Sequence, residues 1–341
     1  MKNESPHKEL KPNDFASDQE VRWCPGCGDY AILKGVQRAL SDNGADPAKT
    51  VFISGIGCAA RFPYYMETYG FHTIHGRAPA VATGVKLSNP DLDVWVIGGD
   101  GDMLSIGGNH TLHALRRNID LQILLFNNSI YGLTKGQYSP TSDIGTKSPS
   151  TPTGSIDSPV SACQFAMGCN ATFVARGVDT DQKLLPNILA EAKAHKGAAL
   201  VEILQNCIVY NDGVFSSFTE KNNSSDGQIF CEHGKPLIFG KDAEKGLRLN
   251  KEKLELEIVT IGPKGVKKTD ILVHDRTNRV LASMLAKMQA PKWPVAMGVI
   301  YANPNKTYEE AVHLQIQEAT KQTSPMTVTN LMHNGRTWTI I

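Results

Sequence analysis

The chain carries almost no net charge: 35 Lys and Arg stand against 34 Asp and Glu, a formal +1 over 341 residues. Such a balance leaves no global field to hold a polyanion, and basic patches with interleaved aromatics are absent too, which argues against nucleic acid as a partner. Long apolar runs are missing. The longest, such as residues 94–97 and 121–126, are strand-sized and too short to span a bilayer. The first fifteen residues are polar and lack the apolar segment a secretory signal needs, so a cytoplasmic chain with no membrane association is expected. Cysteine is sparse: Cys24, Cys27, Cys58, Cys163, Cys169, Cys207 and Cys231 make an odd set of seven. That is no disulfide scaffold, and in a reducing compartment it points to metal, redox chemistry or plain burial. Apolar residues, at 41%, are plentiful enough to argue against disorder. No internal repeat is visible.

Hydrophobic patterning organises the chain. Residues 27–40 read as a helix with Ile32, Leu33, Val36 and Leu40 on one face, and residues 50–56 read as a strand. Residues 79–87 are helical, and Asn89-Pro90 marks a turn. Two apolar strands, 93–97 and 121–126, flank a helix at 109–117, which makes a βαβ unit with parallel strands. Further helices at 159–168 and 181–195 flank strands at 171–175 and 198–204. The expectation is an α/β fold, a doubly wound and mostly parallel sheet. Residues 1–20 form a lead-in, 21–230 the ligand-binding domain, and 231–341 a C-terminal extension packing on the core and on a partner subunit. Residues 139–161, rich in Ser, Thr and Pro, read as a loop, and 220–254 as a polar connecting or edge segment.

Chemistry concentrates at the strand ends. Gly99-Asp100-Gly101 closes one strand of the βαβ unit, and Asn127-Asn128 closes the next after about 25 intervening residues. Ligands of open α/β sheets sit outside the carboxyl ends of strands, so Asp100 and Asn128 could share one hard cation. Glycines would let the backbone approach anionic oxygens closely. Each motif alone is an ordinary turn; together they are the thiamine-diphosphate fingerprint.

Trp23-Cys24-Pro25-Gly26-Cys27-Gly28, Gly55-Ile56-Gly57-Cys58, His75-Gly76-Arg77, Gly99-Asp100-Gly101-Asp102 and the run from Asn127 to Gln137 recur together in one family. The sequence resembles the β subunit of the 2-oxoacid:ferredoxin oxidoreductases, closest to the 2-oxoglutarate type. The resemblance is dense from about residue 21 to 215 and weak in the last twenty. It implies a diphosphate-type domain in which Asp100, Asn128 and the Ile130 carbonyl hold Mg²⁺. Ile56, Gly57, Cys58, Ala59, His75, Gly101, Asp102, Gly132 and Leu133 would contact thiamine diphosphate. Arg61 is a candidate for a substrate carboxylate, which guanidinium matches in a fork, and Lys135 a weaker one.

From spacing alone, Cys24-x-x-Cys27 suits zinc, an iron–sulfur cluster or a dithiol pair, with zinc foremost. Cys58 and Cys207 each follow a predicted strand, and four thiolates from three segments suit either Zn or [4Fe–4S]. A thiamine-dependent oxidation needs an electron sink, and the one dinucleotide-like pattern, Gly26-x-Gly28-x-x-Ala31, contains a thiol and follows no strand. The resemblance names Cys24, Cys27, Cys58 and Cys207 as ligands of one [4Fe–4S] cluster. Ile208 departs from it, since many members carry proline after the last cysteine. Cys163, Cys169 and Cys231 read as bystanders, and His110 and His113 as a helix surface. Thr151-Pro152-Thr153-Gly154 resembles a family segment near the cofactor and suggests a cover.

The implied activity is oxidative decarboxylation of a 2-oxo acid, best 2-oxoglutarate to succinyl-CoA, with coenzyme A as co-substrate and electrons leaving through the cluster to ferredoxin. Only one diphosphate domain is present, so an α subunit is expected to supply the activating glutamate. Alternatives are a pyruvate- or branched-chain-specific relative and, from another class, a zinc-stabilised interaction subunit without catalysis.

Overall fold

The computed structural model describes residues 10–322, 327–335, 337, 338 and 340. Its centre is an eight-stranded sheet, ordered β2-β1-β3-β4-β6-β5-β11-β7. The strands are β1 (Thr50–Ser54), β2 (Tyr69–His72), β3 (Asp93–Gly99), β4 (Gln122–Asn127), β5 (Phe173–Val178), β6 (Ala199–Leu204), β7 (Gln228–Cys231) and β11 (Val295–Ala302). All pairings are parallel except that of β5 with β11.

Side-chain alternation explains why the central strands carry unbroken apolar runs. Val94, Val96, Ile123 and Leu125 enter one core, whereas Trp95, Ile97, Leu124 and Phe126 enter the core on the opposite face. A strand covered on both sides has no solvent face and needs no polar positions. Helices α2 (Ala78–Ser88), α3 (Gly108–Arg116), α4 (Ala162–Gly168) and α8 (Arg279–Ala286) cover the first face; α1 (Asp29–Asp42) and α5 (Leu184–Ala194) cover the second. The last two pack closely because Gly35 lies against Leu185, where an added Cβ would come within 3.2 Å. Two single turns, α6 (Ser216–Thr219) and α7 (Ser224–Gly227), precede β7.

Two regions differ from the sequence expectation. The polar segment 220–254 supplies β7 and much of a three-stranded antiparallel sheet, β8 (Ile238–Phe239), β9 (Lys245–Asn250) and β10 (Glu255–Thr260). Its charged residues mask a pattern in which Leu247 and Leu256 reach the core, while Arg248 and Glu257 beside them are half-buried and Glu255 is exposed. The hydrophilic lead-in reads in sequence as loosely ordered or lying on a partner; residues 1–9 lie outside the described part, but residues 10–16 are tied to the body of this chain. Phe15 is fully buried, and its carbonyl accepts from the Glu67 N–H at 2.9 Å. At the other end, α9 (Tyr308–Gln322) and the exposed α10 (Val328–Met332) follow β11. No described helix is long and apolar enough to cross a membrane.

Phe15→Ala should therefore cost about 3–5 kcal/mol, the usual price of an emptied aromatic site. Scanning calorimetry should register it as a lowered thermal midpoint. Tyr69→Ala, on the exposed edge strand, should change the unfolding free energy by no more than about 0.5 kcal/mol.

Candidate active site

The registers of β3, β4 and β6 deliver the site. Gly99 pairs with Phe126, and Asn127 with Leu204, so Asp100, Asn128 and Gln205 emerge from neighbouring strand ends. The turn after β1 comes up beside them. A cavity forms there, bordered by Ile56, Gly57, Cys58 and Ala59 from that turn, by His75, and by Gly99 through Asp102. Asn128, Ile130, Gly132 and Leu133 complete it. Every residue expected around thiamine diphosphate and Mg²⁺ thus borders one space.

Two glycines are forced by close approach. A Cβ on Gly101 would lie 2.1 Å from the Tyr131 ring, whose hydroxyl donates to the Gly101 carbonyl at 3.1 Å. A Cβ on Gly55 would lie 1.9 Å from Asp102 Oδ2. Asp102 is buried. Its Oδ1 accepts from the Ile56 N–H (3.2 Å), the Gly76 N–H (2.7 Å) and His75 Nδ1 (2.5 Å), while Oδ2 has no partner. Oδ1 already accepts from two backbone N–H groups and so accepts from the ring as well, which puts the proton on Nδ1 and leaves Nε2 for another contact.

Asp100 is held from below. Ser139 and Thr141 donate to its Oδ2 at 2.5 and 2.6 Å, and neither touches Oδ1. Thr141 also meets Asn127 Oδ1 (2.8 Å), Asn127 Nδ2 donates to Glu202 Oε1 (2.8 Å), and Arg176 Nε donates to Glu202 Oε2 (2.7 Å). A buried chain of polar groups therefore runs from the strand end into the sheet. Burial lifts the Asp100 carboxyl to about 6, although the Ser139 and Thr141 hydroxyls pull the other way. Asn128 Oδ1 accepts from the Ile130 N–H (3.2 Å) across Ser129, which takes a left-handed φ of 53°, and the Ile130 carbonyl accepts no hydrogen bond among the described residues. A carboxylate oxygen, an amide oxygen and a bare carbonyl at one cavity are the donor set a hard cation wants.

A second cavity shares Asp29, Cys58, Asn128, Gly132 and Leu133 with the first. Cys24, Cys27, Cys58 and Cys207, all free thiols, border it. Gly132 sits between two of them: a Cβ there would be 3.6 Å from Cys207 Sγ and 3.7 Å from Cys58 Sγ. The Cys58 loop is pinned by Trp23 Nε1, which donates to the Cys58 carbonyl at 2.7 Å. Burial first, then Asp29 and the neighbouring sulfurs, push the Cys58 thiol up to about 11 against a lowering by Arg61, and burial and Asp29 push Cys27 up as well. Thiols raised in this way, as Cys27 and Cys58 are, need a cationic centre to become thiolates. Among the described residues no three His, Cys, Asp or Glu side chains converge on a single ion-sized point. Ile208, the departure from the family pattern, packs over Gly26, which adopts φ +83°.

Arg61 borders the thiol cavity and donates to the Tyr65 hydroxyl at 3.2 Å. Lys135 is exposed at the tip of the hairpin closed by Tyr131 and Gln137 and borders neither cavity. Cys163, Cys169 and Cys231 are buried and border neither, and His110 lies on the α3 surface against Arg77. The segment 151–154 also borders neither. Sequence reasoning passed over Ser139, Thr141, Asp29 and Gln205. Asp29 is buried between the cavities with Oδ1 unpartnered, and burial lifts it to about 7. The clue to the first two was the hydroxyl density of the 139–161 loop beside a strand-end aspartate.

Residues 55–203 match the family model described as "Thiamine pyrophosphate enzyme, C-terminal TPP binding domain". The chain is 47% identical over 335 residues to 2-oxoglutarate oxidoreductase subunit KorB of Mycobacterium tuberculosis, covering 97% of this chain and 88% of that one. It is 48% identical over 192 residues to the 2-oxoacid:ferredoxin oxidoreductase subunit beta of Saccharolobus solfataricus, 56% of this chain and 63% of the other. Among solved structures, a 2-oxoglutarate:ferredoxin oxidoreductase from Magnetococcus marinus, with 2-oxoglutarate, coenzyme A and succinyl-CoA bound, superposes with a TM-score of 0.77 at 31% identity over 97% of both chains.

Arg176→Met should strand Glu202 as an unpaired buried charge and cost about 3–5 kcal/mol in denaturant unfolding. Adding Glu202→Leu should recover a large part of that loss.

Proposed function

Because the chain belongs to the β-subunit family of the 2-oxoacid:ferredoxin oxidoreductases, we propose that it works with an α subunit to convert 2-oxoglutarate and coenzyme A to succinyl-CoA and carbon dioxide, releasing two electrons to ferredoxin. The observation that carries this reading is the shared wall: the cavity with the diphosphate fingerprint and the cavity with four thiols have Cys58, Asn128 and Gly132 in common. When bound, thiamine diphosphate supplies the electron sink that releases the carboxylate, and a [4Fe–4S] cluster accepts electrons singly.

Within that scheme each residue has a task. Asp100, Asn128 and the Ile130 carbonyl hold Mg²⁺, which anchors the diphosphate. Ser139 and Thr141 engage one oxygen of Asp100, so the other remains for the metal. The backbone of Ile56, Gly57 and Gly101 lies against the cofactor without side-chain obstruction, and His75, fixed through Nδ1 by Asp102, presents Nε2 as a polar contact. Cys24, Cys27, Cys58 and Cys207 ligate the cluster. Arg61 is suited to a substrate carboxylate, and the solved 2-oxoglutarate complex of the Magnetococcus marinus relative favours a dicarboxylate over pyruvate here. The family match covers only a C-terminal diphosphate domain, so the glutamate that activates thiamine comes from the α subunit. Free thiols in this number suit the reducing cytoplasm.

Copurified with its α subunit, the chain should be brown, absorb broadly near about 400 nm, and reduce a low-potential dye with 2-oxoglutarate plus coenzyme A faster than with pyruvate. Cys207→Ser should abolish both colour and dye reduction, and the isolated chain should not turn over. A colourless, zinc-containing complex would refute the cluster.

The Asp100 carboxyl also sets a pH limit. Its value of about 6 lies above that of an ordinary aspartate, so below it a cation must displace a proton. Affinity for Mn²⁺, used as a spin probe for Mg²⁺, should fall about tenfold per pH unit below that point and level off above it. Titrations followed by EPR check the slope.

A further inference from the structure

Among the described residues, Gln205 is the one side chain that hydrogen-bonds to both a thiol of the second cavity and a metal-ligand candidate of the first. It is 1% exposed. Its Nε2 donates to Cys27 Sγ at 3.2 Å and to the Asn206 carbonyl at 2.7 Å, and its Oε1 accepts from Asn128 Nδ2 at 2.8 Å. Its own N–H continues the β4–β6 ladder onto the Asn127 carbonyl at 2.8 Å, which fixes where the side chain starts.

Both amide orientations are set by backbone. The Ile130 N–H must meet an oxygen, so Asn128 turns its Oδ1 there and its Nδ2 to Gln205. The Asn206 carbonyl, which also accepts from the Gly28 N–H at 3.2 Å, can face only donors, so Gln205 turns its Nε2 there and toward the sulfur. Flipping either amide would set donor against donor or acceptor against acceptor.

We infer that Gln205 is a positioning residue coupling the two centres: one end donates to a cluster thiolate, the other orients the Asn128 amide oxygen toward the metal. The inference rests on the cofactor assignment proposed above. A hydrogen bond to sulfur stabilises the more negative, reduced cluster and so raises its potential. A partner that holds a metal ligand in orientation raises affinity. Sequence reading gives little hint of it, since Gln205 follows an apolar strand two residues before Cys207.

The test uses the complete enzyme with Gln205→Met and with Gln205→Glu. Methionine matches the length without polar atoms and removes both contacts. Glutamate keeps an oxygen for Asn128 but removes the N–H from both the sulfur and the Asn206 carbonyl. In an EPR-monitored redox titration at alkaline pH, both variants should show a cluster midpoint below that of the parent. Mn²⁺ binding in the presence of thiamine diphosphate should weaken about tenfold in the methionine variant and be retained in the glutamate variant. An unchanged midpoint in both variants, or unchanged Mn²⁺ binding in the methionine variant, overturns the coupling role. Should the methionine variant fail to assemble, the glutamate variant decides: a lowered midpoint with parental Mn²⁺ binding supports the role, and a parental midpoint refutes it. A parent enzyme with no iron–sulfur signal would sink the cofactor assignment instead, so the two failures are distinguishable.

Discussion

Three parallel strands that end level with one another are the constraint on which the chemistry depends. Neighbouring strands run about 4.8 Å apart, and the registers of β3 on β4 and β4 on β6 set Asp100, Asn128 and Gln205 side by side. A slip of one residue would turn each of these to the other face of the sheet. Slippage is opposed by the cores on both faces, because Trp95, Phe126 and Ile97 on one side and Val96, Leu125 and Ile123 on the other would all have to exchange places. Packing far from any ligand thus specifies the position of oxygen and sulfur at the strand ends.

The polar interior obeys a simple accounting. From Asp100 through Thr141, Asn127 and Glu202 to Arg176, each buried donor meets an acceptor, as desolvation demands. At the cavities two carboxylate oxygens, Oδ2 of Asp102 and Oδ1 of Asp29, have no partner, whereas Trp95 Nε1 and His274 Nδ1 are unpartnered away from them.

Much of this was legible in sequence, for a local reason. The βαβ fingerprint lies within about 35 consecutive residues, and strand, glycine turn and asparagine pair each leave their own mark on composition. The four thiols were legible as residue types; the strands before Cys58 and Cys207 placed those two at the edge, whereas only the family resemblance brought Cys24 and Cys27 to it. What stayed hidden depends on pairings between distant segments. Thr141 reads as loop until β3 places Asp100 beneath it; Gln205 reads as a strand's polar terminus until α1 brings Cys27 to it. Arg176 and Glu202 sit in apolar runs and recognise each other only once β5 lies beside β6. The β9–β10 hairpin was concealed differently, by Arg248, Glu255 and Glu257 standing next to its buried Leu247 and Leu256.

The position of β11 bears on how the molecule is made. This strand enters the sheet between β5 and β7, although it is encoded roughly 120 residues after β5. At ribosomal speeds of about 5–20 residues per second, the growing polypeptide waits several seconds with the backbone edge of β5 bare. A nascent chain with an uncapped edge is open to pairing with a stranger, so holding factors and the pace of translation bear on the yield of this subunit before any cofactor is inserted.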